Sequence, residues 1–291
     1  FEPQLCWDPF NPENTQWTNT QQEVMLELEN CNNGVLEFTF PDYAARALLS
    51  DPNVVKNETS FRTPDRSDAV KGQDDEYNGQ GDPVILGAGG PDAFGYVWID
   101  SDEAGGPVYN WQDISGTGTV VGGLGDDNIV GPFPLSFNFP FYGEDKSQFW
   151  INSNGTIGFT SSYITLGNFA IPTTNSNKDF IAWFWDDLDP AGPNTSVYYQ
   201  DFGNRLIIQF DHYNEYPDGN NYYIDAQMIL YQNGSIIVNY DYIHPSMDDD
   251  GMTIGCQSSG AIGLQVAFNT AYVHDGLALY MGPPGSHFIV D

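Results

Sequence analysis

Basic residues are scarce in this sequence, since eight Lys and Arg stand against 40 Asp and Glu, which gives a formal net charge of −32 at pH 7. A chain with so little positive charge has no basic surface to release phosphate counterions, so nucleic acid is excluded as a partner. Binding to an anionic membrane is disfavoured for the same reason. Such a charge repels itself unless it is neutralised, so Ca²⁺, salt or a partner surface becomes relevant.

Long apolar runs are also missing. No run reaches the roughly 18 residues that a membrane helix requires, so no membrane insertion is predicted. No basic segment followed by an apolar one precedes Phe1. The sequence is therefore interpreted as the mature, processed form of a secreted protein, located outside the cell or on its surface.

Cysteine occurs only at Cys6, Cys31 and Cys256, which is too few for a disulfide framework, and no CxxC spacing indicates zinc or redox chemistry. We predict a disulfide between Cys6 and Cys31, because it would close a short loop in a loosely held N-terminal segment. The alternative is that the cysteines are buried free thiols.

Catalytic signatures are missing as well. The four histidines show no HExxH spacing, and neither a GxSxG elbow nor a phosphate-binding glycine loop is present. A glycosidase-type pair of carboxylates could come from any two strands, so that alternative stays open. We predict that the chain is not an enzyme.

Short apolar runs bounded by Gly, Pro, Asn or Asp fill the sequence from Pro83 onward, and aromatic residues make up 15% of the chain. Twelve such runs without interleaved helical segments predict an all-β fold, an antiparallel two-sheet β-sandwich of jelly-roll-like type. We assign residues 83–291 to this domain and residues 53–82 to a polar linker or long loop. Residues 1–52 are an N-terminal extension.

A β-hairpin is predicted in this extension, around Asn32-Asn33-Gly34. We expect it to donate a strand to the open sheet edge of a neighbouring subunit, which would build a filament. In the alternative, the hairpin folds back onto its own sandwich. The strand-donating residues are Val24, Leu26, Leu28, Val35, Leu36, Phe38 and Phe40.

Acidic residues form several local clusters, and closely spaced carboxylates in a loop can surround Ca²⁺ with oxygen ligands. None matches the EF-hand loop, and the alternative is that these residues only turn the chain and stay hydrated. Two clusters are our first choices for a calcium site: Asp100, Asp102 and Glu103, and Asp186, Asp187 and Asp189. Two further clusters are Asp126 with Asp127, and Asp248 to Asp250.

Tryptophans divide into two groups. Those inside strand patterns are expected in the core; they are Trp98, Trp150, Trp183 and Trp185. Those in predicted loops are better candidates for contact with a ligand such as a sugar; they are Trp7, Trp17 and Trp111.

Three strings occur in a recognisable order: Phe139-Pro-Phe-Tyr-Gly143, Phe149-Trp-Ile-Asn-Ser-Asn-Gly155 and Ile181-Ala-Trp-Phe-Trp-Asp-Asp-Leu-Asp-Pro190. Together they resemble the nidogen-like β-sandwich module of secreted bacterial surface proteins, over roughly residues 93–282. The cysteine-rich neighbours of animal nidogens are missing here, so a basement-membrane function does not carry over. The resemblance implies an extracellular adhesive or structural module without catalytic residues.

We therefore expect a structural or adhesive surface protein that self-associates or binds cell-surface or matrix components. The alternative is a carbohydrate-binding module of a larger secreted protein.

Overall fold

A computed structural model describes residues 87–162, 164, 166–174, 179–217, 221–259 and 262–284. These residues form fifteen β-strands and contain no helix. The strands are β1 Ala88–Gly89, β2 Val97–Asp100, β3 Thr119–Val120, β4 Ile129–Phe141, β5 Glu144–Asn152, β6 Thr156–Gly158, β7 Phe180–Trp185, β8 Leu188–Asp189, β9 Ser196–Asp201, β10 Arg205–Glu215, β11 Tyr223–Tyr231, β12 Ile236–Ile243, β13 Thr253–Gln257, β14 Gly263–Phe268 and β15 Leu277–Gly282.

The strands form two antiparallel sheets. One has nine strands in the order β1-β2-β15-β12-β11-β10-β9-β3, with β8 also paired to β10, and the other has six in the order β14-β13-β7-β6-β5-β4. Apolar side chains from both sheets form one buried cluster. The predicted all-β two-sheet sandwich is thus confirmed. No helix long and apolar enough to cross a membrane occurs in the described part of the chain.

Large aromatic side chains fill the space between the sheets. Trp183 of β7 stacks on Phe210 of β10, with ring centroids 4.2 Å apart and planes 22° apart. Both rings are fully buried, so they stabilise the contact between the sheets through apolar area and stacking together. The tryptophans predicted for the core are indeed buried: Trp98, Trp150, Trp183 and Trp185.

The Phe139–Gly143 (FPFYG) and Ser153-Asn154-Gly155 (SNG) strings each form a tight turn between two strands. Tyr142 and Gly143 connect β4 to β5, and both have positive φ, 48° and 81°. A two-residue hairpin turn requires positive φ, which is energetically unfavourable for tyrosine because of its side chain. The Tyr142 N–H donates to the Tyr96 hydroxyl at 3.1 Å, and the Tyr142 hydroxyl donates to Asp92 at 2.7 Å. These bonds compensate for the unfavourable backbone angle.

The apolar-run pattern of the sequence does not predict strand β13 or the two-residue strands β1 and β8. The β13 sequence, Thr-Ile-Gly-Cys-Gln, lies between β14 and β7 and is buried on both faces. A strand covered on both sides needs no alternation of apolar and polar residues. Gly255 within it further weakens the strand pattern.

Several predictions lie outside the described residues. They are the Cys6–Cys31 disulfide, the ligand contacts of Trp7 and Trp17, the polar linker of residues 53–82, and the N-terminal hairpin with its strand-donating residues Val24, Leu26, Leu28, Val35, Leu36, Phe38 and Phe40. These stay predictions. The third cysteine, Cys256, is a buried free thiol in β13, and burial raises its pKa to about 12.

Candidate metal centre

Three carboxylates from two separate loops come together at one end of the sandwich. Asp126 and Asp127 lie just before β4, and Asp187 lies between β7 and β8. One potential ligand atom from each residue lies within 4.8 Å of the others. Asp126 is exposed, Asp127 is half-buried and Asp187 is only 2% exposed, so the group extends from the surface into the protein.

Asn154 of the SNG turn holds the two loops together. Its side-chain amide donates to Asp127 Oδ1 at 3.0 Å, and its side-chain oxygen accepts the Leu188 N–H at 3.1 Å. The adjacent Ser153 exchanges hydrogen bonds with Asn128, because the Ser153 N–H donates to the Asn128 carbonyl and the Asn128 N–H donates to Ser153 Oγ. The turn of one family string therefore positions the carboxylates of two other segments.

Asp187 is positioned by its neighbour Asp186 and by Tyr216, which directly follows β10. Its N–H donates to Asp186 Oδ1 at 2.9 Å, and its carbonyl accepts the Tyr216 N–H at 3.0 Å. Asp189 accepts the Ala191 N–H at 2.8 Å. Of the predicted cluster of Asp186, Asp187 and Asp189, only Asp187 belongs to the three-carboxylate group. The side chains of Asp186 and Asp189 accept backbone N–H groups of their own turn.

The other first-choice cluster is arranged differently. Asp100 is buried and accepts hydrogen bonds from the Tyr272 hydroxyl at 2.8 Å and the Asp102 N–H at 3.1 Å. Asp102 Oδ2 lies 3.0 Å from His274 Nε2, and Glu103 accepts the Gly87 N–H at 3.3 Å. Burial raises the pKa of Asp100 despite these bonds. These carboxylates accept hydrogen bonds from protein donors and, within the described residues, do not form a group of three whose ligand atoms all lie within 4.8 Å of one another.

The pairing of Asp126 and Asp127 with Asp187 could not be read from the sequence. Both clusters are visible there, but they lie 60 residues apart and only the fold brings them together. The SNG turn is the feature that links the two clusters, since its Asn154 side chain contacts both loops.

A second surface feature is a row of partly exposed rings on the nine-stranded sheet. His212 stacks on Tyr223 at 4.2 Å, and Tyr222 stacks on His244 at 4.9 Å. Tyr242 extends the row, 5.1 Å from Tyr223. An open cavity of about 420 Å³ adjoins it and is lined in part by His244, His274, Asp249 and Asp275. Trp111, predicted for ligand contact, is partly exposed in a segment without strands.

Comparison with known protein families identifies one family whose model matches the chain. The model of the family described as "NIDO related" matches residues 106–277, which is more than half of the 291 residues. The match covers both tight turns, strands β3 to β14 and all three carboxylates of the candidate centre. No solved structure matches the chain. The chain belongs to the NIDO-related, or nidogen-related, family.

Proposed function

We propose that this protein is an extracellular structural or adhesive module whose loops at one end are braced by Ca²⁺. The carboxylate group of Asp126, Asp127 and Asp187 is the observation that carries the proposal. Family membership and the net charge of −32 support it, because a chain so acidic gains stability from a bound cation. The proposal includes no catalytic activity.

Calcium suits this group better than other common ions. Three close carboxylates repel each other, and a divalent cation with oxygen preference removes that repulsion. The group contains no histidine or cysteine, which zinc would favour. Exposed Asp126 leaves one side open to solvent, from which Ca²⁺ could take water ligands to complete its shell of six to eight oxygens.

Thermal unfolding tests the calcium site. Saturating Ca²⁺ should raise the melting temperature, since a ligand at 100 times its Kd stabilises the folded state by about 2.7 kcal/mol. Asp187→Asn should abolish the increase, whereas Asp102→Asn should retain it. If Asp102→Asn is the variant that loses the increase, the ion binds at the Asp100 cluster. If the parent melts identically in Ca²⁺ and EDTA at equal ionic strength, the proposal is wrong.

We also propose that the module self-associates by strand addition from the predicted N-terminal hairpin. In the described domain, β4 is a poor acceptor, because this edge strand contains Pro132, Pro134 and Pro140, which have no N–H to donate. The Ser136 N–H of the same strand already donates to Asp201 at 2.7 Å. We therefore place the acceptor at another edge.

Deletion of residues 1–50 tests strand addition. The truncated protein should stay folded and monomeric, while the full chain forms filaments visible by electron microscopy. Filaments from the truncated protein, or a full chain that stays monomeric at every concentration, would contradict this mechanism.

Carbohydrate binding is a second candidate, favoured by the row of partly exposed rings. Aromatic faces stack on sugar rings, and neighbouring Asp225 offers a carboxylate to hydroxyl groups. The net negative charge favours a neutral glycan. Affinity electrophoresis in a soluble neutral glucan should retard the parent but not Tyr223→Ala. Tyr198→Ala, a tyrosine packed against Ile114 and its neighbours, is the matched control.

A further inference from the structure

Lys146 is the one lysine among the residues that the structure describes, and it lies between two carboxylates. Its Nζ is 2.7 Å from Asp179 Oδ2 and 2.6 Å from Glu144 Oε2. The side chains of Lys146 and Asp179 are only 12% and 10% exposed, whereas Glu144 is 69% exposed. A lysine and an aspartate are thus held together away from solvent, with a second carboxylate touching the same nitrogen.

The surroundings of the pair hold the side chains of Lys146 and Asp179 in place. Asp179 Oδ1 accepts the Ser259 N–H at 2.5 Å, which turns Oδ2 towards Lys146. The buried ring of Phe159 lies beside the ammonium, with its centroid 6.0 Å from Nζ. Lys146 belongs to β5 and Asp179 directly precedes β7, so both positions are set by the six-stranded sheet. An amine and a carboxyl held in this way have a very high effective concentration.

We propose that Lys146 and Asp179 form an isopeptide bond, with Glu144 as the proton acceptor. One proton passes from the Lys146 ammonium to Asp179 Oδ2, which leaves an amine and a neutral carboxylic acid. The nitrogen lone pair then attacks Cγ of Asp179, and Glu144 takes a second proton from Nζ. Glu144 returns this proton to the departing hydroxyl of Oδ2, and water leaves. The third proton stays on the amide nitrogen, and Glu144 ends as it began.

Loss of the two charges favours this reaction, whereas the first proton transfer is an uphill step. Burying an ion pair is costly, whereas the amide that replaces it is neutral. Burial lowers the pKa of Lys146, but hydrogen bonds to Asp179 and Glu144 outweigh burial and raise the pKa above its ordinary value. A raised pKa opposes loss of this proton, and the existing hydrogen bond from Lys146 Nζ to Asp179 Oδ2 gives the proton a direct path. Once the water has left, the exclusion of solvent from Lys146 and Asp179 slows the reverse hydrolysis.

Such a bond would connect β5 to β7 across β6, which lies between them in the sheet. It would close a covalent loop around the SNG turn and the loop that follows it. A cross-link of this kind restricts the unfolded chain, as a disulfide does, without depending on redox conditions. A structural module would gain resistance to heat and to pulling forces.

Intact-mass spectrometry of the reduced, denatured full-length protein tests the bond. The mass should be lower than the sequence mass by one water, and proteolysis should yield a branched peptide that joins the segments containing Lys146 and Asp179. Lys146→Arg, which keeps the charge, should have its full sequence mass. A parent with its full sequence mass overturns the proposal. A Lys146→Arg variant that also lacks one water overturns it too, because the water then comes from another reaction.

The role of Glu144 has its own test. Glu144→Gln keeps the shape of the side chain but cannot accept a proton, so protein freshly made by cell-free synthesis should lose water at least about tenfold more slowly than the parent. Asp145→Asn, a neighbouring exposed residue hydrogen-bonded to Asn138, is the matched control and should react at the parent rate. Equal rates of water loss for Glu144→Gln and the parent would show that Glu144 is not the proton acceptor.

Discussion

Gly155 lies where two backbone segments approach each other so closely that there is no space for a side chain. Its φ is +68°, and a Cβ added there would lie 1.6 Å from the carbonyl oxygen of Phe184. The Gly155 carbonyl accepts the N–H groups of Trp183 and Phe184 at 3.0 and 3.2 Å, so neither segment can retreat without losing these bonds. The glycine of the SNG string is thus required by a close approach of two backbones as well as by the turn.

We expect Gly155→Ala to lower the free energy of unfolding by about 4 kcal/mol or more, because strain and overlap add together. Gly203→Ala is the matched control, since Gly203 also has positive φ, +87°, but open space around it. It should cost only about 1–2 kcal/mol, the penalty for positive φ alone. Urea denaturation measures both. Equal costs for the two variants would show that the contact with Phe184 is not limiting.

Asp248 makes stability depend on pH. Burial, together with the neighbouring carboxyl of Asp250, raises its pKa from 3.8 to about 6. Folding then increases proton affinity, so the stability contributed is fully present below pH 3.8 and is lost as the pH rises through about 6. We expect the free energy of unfolding to fall across this window by on the order of 1 kcal/mol after allowance for solvent screening.

Asp248→Asn should remove this part of the pH dependence. Asparagine keeps the oxygen that accepts the Asp250 and Gly251 N–H groups at 3.2 and 3.0 Å, so the turn should survive. Asp250→Asn removes the neighbouring charge and should move the fall to lower pH. Denaturation curves from pH 4 to 7 give the difference between parent and variant. Parallel profiles for parent and Asp248→Asn would contradict the assignment.

At the scale of elements, a short segment crosses the outer face of the nine-stranded sheet. This strap, residues 109–114, is held by three buried amide side chains that lie side by side on β10, β11 and β12: Gln209, Gln227 and Asn239. Asn239 donates to the Asn110 carbonyl at 3.0 Å. Gln227 donates to the Gln112 carbonyl at 2.7 Å, and Gln209 accepts the Ile114 N–H at 2.9 Å. The backbone of an irregular segment is satisfied in this way where it meets the sheet.

Gln227→Met tests this arrangement, because methionine keeps the volume of glutamine but makes none of its hydrogen bonds. We expect a loss of about 1–3 kcal/mol, the cost of leaving buried polar partners unsatisfied. Limited proteolysis should then cleave the strap before the rest of the domain unfolds. Gln148→Met, at an exposed position of β5, is the control and should change neither property. An uncleaved strap in Gln227→Met would mean that other contacts hold it.

At the scale of the whole molecule, the net charge of −32 opposes compaction. Raising NaCl from about 0.01 M to 0.15 M shortens the Debye length from about 30 Å to about 8 Å, which screens this repulsion. We expect the melting temperature to rise with NaCl, by about 2–4 °C for each kcal/mol gained. CaCl₂ at equal ionic strength should raise it further if the carboxylate centre binds calcium. A melting temperature that falls with NaCl would show that favourable ion pairs outweigh the repulsion.

The sequence by itself determined the class of the fold and most of its strands. Short apolar runs bounded by Gly, Pro, Asn or Asp are local signals, and Phe180–Trp185 and Gly263–Phe268 are two such runs that form strands in the structure. The family strings are local as well, and they identified the module that the family match confirms. The core tryptophans followed from the same strand patterns.

The tertiary structure alone decided which distant side chains meet. Strand β13 can be recognised only from its pairing with β7 and β14, since a strand buried on both faces does not alternate apolar and polar residues. Asp187 joins Asp126 and Asp127, and Lys146 meets Asp179, because antiparallel pairing brings together loops that are far apart in the chain. Sequence patterns record how each strand faces the core, whereas a site depends on the register and order of strands, which are set by packing of the whole sandwich.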